Sequence, residues 1–392
     1  MSRRLGIYVQ VPFCQTKCTY CNFHTGVVSA ARFSPYVQAV CREIGGHREL
    51  YRAARVGLAE GFEKAVVDTV YIGGGTPSLL EPGLLLGMME AIRGTFRTEL
   101  SEVTLEADPE TVEVGKAAAW VRAGINRVSF GLQSFSDREL AAAGRMHRRA
   151  DIYRAVPILR DAGIRNISFD LIAGLPYQTE TSFKESLEEL GRLEPEHVSV
   201  YLLEVDEGSR LGKELLAGGA RYSAGAVPDD DEMAEFYETA SGFLGAAGYH
   251  HYEISNWAKP GFRSRHNLKY WRREAYLGFG AGAHSFSGTA RWANAHDAAE
   301  YVGGMELGRI PVEQWEEVTR ERALEEELFL GLRQLDGIDV ARIEQEYGVA
   351  LGERIGPLES AGLVERDGNV LRLAPDDVKS QTHIFRQWRE LR

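Results

Sequence analysis

Long apolar runs are missing from this chain. No stretch of its 392 residues approaches the ~18 consecutive apolar positions that a membrane-spanning helix needs. No transmembrane segment is expected, and peripheral contact with a membrane surface stays open. The start, Met1 to Gly6, carries Arg3 and Arg4 but not the apolar core of a signal peptide, so a cytoplasmic location is expected. Positive charge is in short supply: 45 Lys and Arg stand against 57 Asp and Glu, a net charge of −12. Phosphate binding needs clustered cations, so nucleic acid is not an expected partner. Cysteine is scarce, at four residues. No secretory context supports a disulfide framework, and no second C-x2-C and no H-x3–5-H completes a zinc pattern.

The cysteine that is present is crowded. Cys14, Cys18 and Cys21 stand at C-x3-C-x2-C spacing in Y-V-Q-V-P-F-C-Q-T-K-C-T-Y-C-N-F, Tyr8 to Phe23. Core cysteines scatter along a chain, so packing does not explain the cluster. Three thiolates on one loop can converge on an iron–sulfur cluster, usually held by four cysteines, and a cube held by three leaves one iron open. Zinc is the rival, with His24 as a fourth ligand too near Cys21 for the usual pattern. A disulfide is the plainest alternative and would leave an odd thiol.

The rest of the composition, 44% hydrophobic and 26% charged, is that of an ordinary globular protein, long enough for two or three domains. Strand patterns fall at Gly6–Val11, Val67–Ile72, Glu102–Glu106, Arg127–Leu132, Asn166–Ile172 and His197–Leu203. Helical patterns lie between them: Ser34 to about Glu60, Leu84–Phe96, Val112–Ala123, Asp137–Ala143 with Asp151–Ala162, and Thr181–Leu193. This alternation predicts an α/β fold of βα units on a parallel sheet, either a partial barrel or an open sheet. Marked residues recur at the strand ends, where barrels of this kind carry their reactive groups. They are Cys14, Gly73-Gly74-Gly75-Thr76-Pro77, Glu106 with Asp108-Pro109, Gln133 with Ser134, Asp170 before Gly174-Leu175-Pro176, and Glu204. Three glycines let backbone approach a ligand closely, or merely make a tight turn.

The C-x3-C-x-Y-C motif after a Tyr-containing first strand, with Tyr20 beside the third cysteine, resembles the radical S-adenosylmethionine (SAM) superfamily. The resemblance implies a (β/α)6 partial barrel and a [4Fe–4S] cluster on Cys14, Cys18 and Cys21. SAM would chelate the fourth iron, and its reduction would release a 5′-deoxyadenosyl radical. It also implies SAM contacts from Tyr8, Gly74, Gly75, Thr76, Glu106 of E-x-D-P, Gln133 of S-F-G-L-Q-S, Arg145 of G-R-M-H and Asp170 of F-D-L-I-A-G-L-P. The chemistry is apt: SAM needs a carboxylate for its amine, a cation for its carboxylate and acceptors for its ribose hydroxyls.

Beyond residue 205 the pattern loosens. Leu215 to Asp231 reads as a flexible surface loop, and a helix is expected over Glu232–Leu244. His266-Asn267-x-x-Tyr270-Trp271 then stands out, because histidine is the common axial ligand of haem iron and aromatics stack on porphyrins. A structural histidine beside core aromatics is the plain alternative, for His266 as for His284, His250 and His251. In the tail, a helix Arg320–Gln334, short helices Val340–Tyr347 and Leu351–Ala361, and a hairpin around Arg366-Asp367-Gly368-Asn369 form a winged-helix-like pattern. From Asp336 to Ala374 eight Asp/Glu face four Arg and no Lys, which opposes DNA contact. The expected division is 1–310, barrel with its extension, and 311–392, a small α+β lid or partner surface.

Within the superfamily the chain resembles the oxygen-independent coproporphyrinogen III oxidase group and its HemW-type haem chaperone branch. The oxidase pattern carries a fourth cysteine two places after the third; here Asn22 and Phe23 follow Cys21. The resemblance therefore implies haem as cargo, bound through His266, Asn267, Tyr270 and Trp271, with client haem proteins as partners. Radical oxidative decarboxylation to protoporphyrinogen IX is the alternative, and a metal protein that binds no SAM a third. Whether the chain is an enzyme stays open, as does monomer or dimer.

Overall fold

A period-two alternation organises the first strand, β1 (Arg4–Val11). Ile7, Val9 and Val11 are fully buried on one face, while Tyr8 and Gln10 point the opposite way. The computed structural model describes residues 4–53, 64–309 and 311–374. Arg3 and the end of the long helical stretch near Glu60 lie outside the described residues.

A two-residue strand, β2 (Phe13–Cys14), pairs in parallel with β3 (Gly26–Val27) and closes the base of the cysteine loop. Then follow α1 (Phe33–Ala53), β4 (Val66–Gly74), α2 (Pro82–Thr95), β5 (Arg97–Ala107), α3 (Val114–Ala123) and β6 (Arg127–Gln133). After these come α4 (Asp137–Ala142), α5 (Arg149–Ala162), β7 (Asn166–Ala173), α6 (Glu180–Leu193) and β8 (His197–Leu202). Local signals set these limits. Pro82 opens α2 where no backbone donor is needed. Gly124, at φ +96°, ends α3. Thr179 and Ser182 cap α6 reciprocally.

The six strands β1, β4, β5, β6, β7 and β8 pair in parallel in chain order. This is the expected (β/α)6 arrangement. Their outward faces carry Val70, Ile72, Leu105, Val128, Phe130, Phe169 and Val198, packed under the helices in one core. Their inward faces are polar: Tyr8, Tyr71, Glu106, Ser129, Gln133, Asp170 and Ser199.

The sheet continues past six strands. After α7 (Arg210–Leu216) and α8 (Asp230–Ala246) come β9 (His250–Glu253), β10 (Asn256–Ala258), α9 (Arg265–Trp271), β11 (Tyr276–Phe279), β12 (His284–Phe286), β13 (Ala290–Asn294), α10 (Ala298–Glu306) and β14 (Val312–Glu317). β10 and β9 extend the β8 edge, and β11 joins β1 in parallel and leads on to β12, β13 and β14, giving 12 strands. The expected division at 310/311 would sever β14 from this sheet, so we propose a division near Val318 instead. The expected surface loop Leu215–Asp231 is also corrected. Leu215, Ala224 and Val227 pack with Leu175, Leu203 and Met233 in a satellite core, and Tyr177 N–H donates to Ala226 O at 2.7 Å.

The tail is built from α11 (Arg320–Gly331), β15 (Ile338–Asp339), α12 (Val340–Tyr347), α13 (Gly352–Ser360) and the hairpin β16 (Val364–Asp367)–β17 (Val370–Leu373). Leu324, Leu328, Ile343, Ile355, Leu358 and Leu371 give it a separate core.

Candidate functional site

The cysteine loop leaves β1 at Val11 and is pinned from three sides. Phe13 stacks on Phe33 at 4.8 Å and meets Tyr36 edge-on at 4.9 Å. Thr19 N–H donates to Ala143 O at 3.0 Å, and Leu211 N–H donates to Thr19 O at 2.8 Å. Cys14, Cys18 and Cys21 are free thiols, Cys18 buried and the other two half-buried. All three line one cavity of about 880 Å³, within the size range of ligand sites. Burial pushes the Cys14 and Cys21 thiols up. Cys41 sits in α1 against the main core, away from that cavity. A single ion with bonds of about 2.3 Å would draw its sulfurs to about 3.8 Å apart. The His24 ring packs on His296 at 4.4 Å. Three thiols on one cavity, with no fourth cysteine among the described residues of its lining, fit a four-iron cube that keeps one iron open.

The acidic wall of the cavity comes from the end of β5. Glu106 accepts from Tyr71 OH and from Gly74 N–H, both at 2.8 Å. Burial, with Asp170 and Asp108 adding to it, raises its carboxyl to about 7. Asp108 accepts from Thr76 OH at 3.1 Å and pairs tightly with Arg145. Arg145 also donates to Gly131 O at 2.8 Å and to the Cys18 sulfur at 3.4 Å. Asp170 accepts from Ser129 OH at 3.3 Å, and burial raises its carboxyl too. Gln133 ends β6 in the left-handed region, φ +68°, beside a register shift, the kind of strain found at functional walls. Gly74, Gly75, Thr76, Glu106, Gln133, Arg145 and Asp170 all line the same cavity as the thiols. Tyr8 stands behind it, donating to Gln10 at 2.5 Å and stacked on Tyr71 at 6.0 Å.

The glycine turn serves the protein's own packing. A Cβ on Gly74 would meet Gln10 at 2.5 Å, and one on Gly73 would meet Glu106 at 2.9 Å. One on Gly75 would strike Phe13 O. The run lets β4 close against the cysteine loop and the carboxylate.

The H-N-x-x-Y-W motif forms α9, which holds His266 against the strands. Its ring is fully buried. Nδ1 meets Thr69 OH and Nε2 meets Tyr270 OH, both at 2.9 Å. Its backbone N–H donates to Glu102 at 2.9 Å. Burial, helped by Lys269 and Arg127, lowers its pKa to about 3. Both ring nitrogens thus have hydroxyl partners within the protein. Asn267 does line the cavity. Tyr270 meets Tyr276 edge-on at 4.6 Å, and Trp271 lies under the Arg333 guanidinium at 4.5 Å. His266→Ala is expected to lower stability by about 1–3 kcal/mol through its orphaned partners. At matched folded fraction the Soret position of added haemin should not move; a moved band would show the ring turned to iron.

Sequence reasoning passed over Tyr71, which orients Glu106, and over Arg333, bound to the fully buried Glu253 by two bonds, 2.9 and 2.5 Å. It also passed over Arg127, 1% exposed and on the cavity wall. None sits in a motif.

Two family models match the chain. The radical SAM superfamily covers residues 8–190 and the HemN C-terminal domain covers 318–376. A protein named haem chaperone HemW from Bacillus subtilis is 36% identical over 346 residues, 88% of this chain and 87% of that one. This chain belongs to the HemW family of radical SAM proteins. The HemW of Lactococcus lactis is 30% identical over 97% of this chain and 96% of its own. The solved structure of Escherichia coli HemN, a coproporphyrinogen III oxidase described as a radical SAM enzyme, shares the fold with TM-score 0.82 at 21% identity, over 99% of this chain and 91% of that one. Among the described residues no helix is long and apolar enough to cross a membrane.

Proposed function

We propose that this HemW-family chain is a haem chaperone of the cytoplasm. It holds a [4Fe–4S] cluster on Cys14, Cys18 and Cys21, binds SAM in the adjoining cavity, and carries haem for transfer to client haem proteins. The reading is carried by the breadth of the likeness to relatives named haem chaperone, 36% identity across 88% of the chain. Asn22 and Phe23 after Cys21 agree with it, since the oxidase pattern puts another cysteine there. When bound, the cluster supplies an open iron and an electron, and SAM supplies a sulfonium.

Near the thiols the lining suits a cationic group. There Arg145 is paired with Asp108, and the Glu106 and Asp170 carboxyls line the same cavity. In this reading Glu106, held by Tyr71 and Gly74, takes the SAM ammonium, and Asp170 takes ribose hydroxyls. Arg145 and Gln133 face the remaining polar groups, and Tyr8 backs Tyr71. The haem-contact set narrows to Asn267 with the flanks of Tyr270 and Trp271.

The test is haemin titration of the reconstituted, oxygen-protected protein, with a shifted Soret band expected. No shift rejects haem as cargo. Protoporphyrinogen formed from coproporphyrinogen III with SAM and a reductant would put the oxidase reading in its place.

A pH dependence follows from Glu106, whose carboxyl stands near 7. Below that it is neutral and attracts an ammonium weakly; above it the charge is present, until the SAM amine itself deprotonates at about 7.7–8.0. SAM affinity by equilibrium dialysis should rise several-fold from pH about 6 to about 7.5. Glu106→Gln should match the wild type near pH about 6 and fall behind it as pH rises to about 7.5, leaving only the smaller rise that Glu110, also raised to about 7 on this lining, can supply. A flat profile in the wild type would remove Glu106 from the ammonium site.

A further inference from the structure

The lumen is unlike the floor of an ordinary barrel, where branched apolar side chains fill the interior in layers. Arg127 is the first residue of β6, six positions before Gln133, so about 20 Å of strand separates them at ~3.3 Å per residue. Its side chain is 1% exposed and lines the cavity. Nε and Nη1 have no hydrogen-bond partner, and among the described residues no carboxylate reaches it within the 4.0 Å of an ion pair.

The groups around it are committed to each other. His197 lies between Ser168 OH at 2.8 Å and Tyr252 OH at 2.7 Å. His266 is held by Thr69 and Tyr270. Asp170, on the strand beside it, accepts from Ser129 at 3.3 Å and feels the Arg127 charge only from beyond ion-pair distance. A guanidinium cannot shed its proton, and a buried unpaired charge is strongly unfavourable. Its planar fork matches a carboxylate in two parallel bonds, which water does not reproduce. The cavity is thus polarised, with acid at the thiol end and, at the strand-start end, a cation that no ion pair answers.

We infer that Arg127 docks a carboxylate of a ligand lying in the lumen, and that this carboxylate is a propionate of a tetrapyrrole. The ligand class rests on the haem reading above; the carboxylate site itself rests on Arg127. Haem would then enter with a propionate leading toward the start of β6, below the SAM end of the cavity.

The test compares haemin with its dimethyl ester, which keeps the macrocycle and lacks the charge. Reconstituted wild-type protein should bind haemin at least about tenfold more tightly than the ester. Arg127→Gln should bring that ratio near one while keeping cluster absorption and circular dichroism. Arg127→Lys, with charge and no fork, should fall between, and it carries the comparison if the Gln variant does not fold. Equal binding of haemin and ester by the wild type overturns the inference, as does a full preference surviving in Arg127→Gln. If the wild type binds no haemin, the haem reading fails by itself. A sodium propionate titration of the Arg127 Nε–H resonance then decides: a saturable shift keeps the carboxylate site, and no shift overturns it.

Discussion

Cys14→Ala is expected to abolish the visible absorption of the cluster in anaerobically reconstituted protein, and iron should fall from about four per chain to near none. Cys18→Ala and Cys21→Ala should behave alike. A cube on three protein ligands already has one iron open, and losing one of the three thiolates leaves two irons without a protein ligand. The loop is held by Phe13, Thr19 and Leu211 whatever the thiols do, so these variants should fold and the loss should be one of ligation. Cys41→Ala is the control, because that thiol packs against the helical layer. It should keep full iron. Retention of the cluster by Cys14→Ala, or its loss from Cys41→Ala, would mean that other atoms hold the iron.

The barrel was legible in the sequence because its strands are short apolar runs whose ends carry Gly, Cys and acidic residues. Strand β7, expected over Asn166–Ile172, runs Asn166–Ala173, since burial of Ile167, Phe169 and Leu171 under α5 and α6 leaves no other register. The places of Cys14 and Glu106 were legible for the same reason: Cys14 ends β2, and Glu106 is the last residue but one of β5. What escaped were groups defined by facing. Arg127 alternates with Val128 as a solvent-exposed residue would, and a polar lumen carries the same period-two signature as open water. Only the curvature of the sheet tells the two apart, and curvature is a property of all the strands together. The surroundings of His266 were hidden in the opposite direction. Its motif is conspicuous, yet Thr69 and Tyr270, 197 and four positions away, take both ring nitrogens. The strands β9 to β13 were hidden because they are short and lie among motif residues.

Glu43→Ala is expected to be among the most destabilising single changes outside the cavity, by about 3–5 kcal/mol. Glu43 is a fully buried carboxylate on α1. It accepts from Tyr301 OH at 2.5 Å, Asn294 Nδ2 at 2.7 Å and Gly280 N–H at 2.9 Å. Tyr51 OH adds a longer bond at 3.5 Å. One side chain thus ties α1 to α10, β13 and the turn after β11, and its removal strands four buried donors at once. The same tie supports the site, because Ala281 N–H donates to Tyr36 OH, which donates to Gln10 O at 2.8 Å behind the cysteine loop. Burial raises the Glu43 carboxyl from an ordinary 4.5 to about 7, against the pull of its hydrogen bonds. The folded state therefore holds this proton more strongly than the unfolded chain does. Its contribution is fully present below about 4.5 and declines as pH rises to about 7. Glu43→Gln removes the titration, so the gap between wild type and this variant should shift in the variant's favour from pH about 5 to about 8. Urea unfolding of both proteins in the same cofactor state reads that slope. A gap constant with pH would show that Glu43 is ionised throughout, held by Tyr301, Asn294 and Gly280 more firmly than burial opposes it.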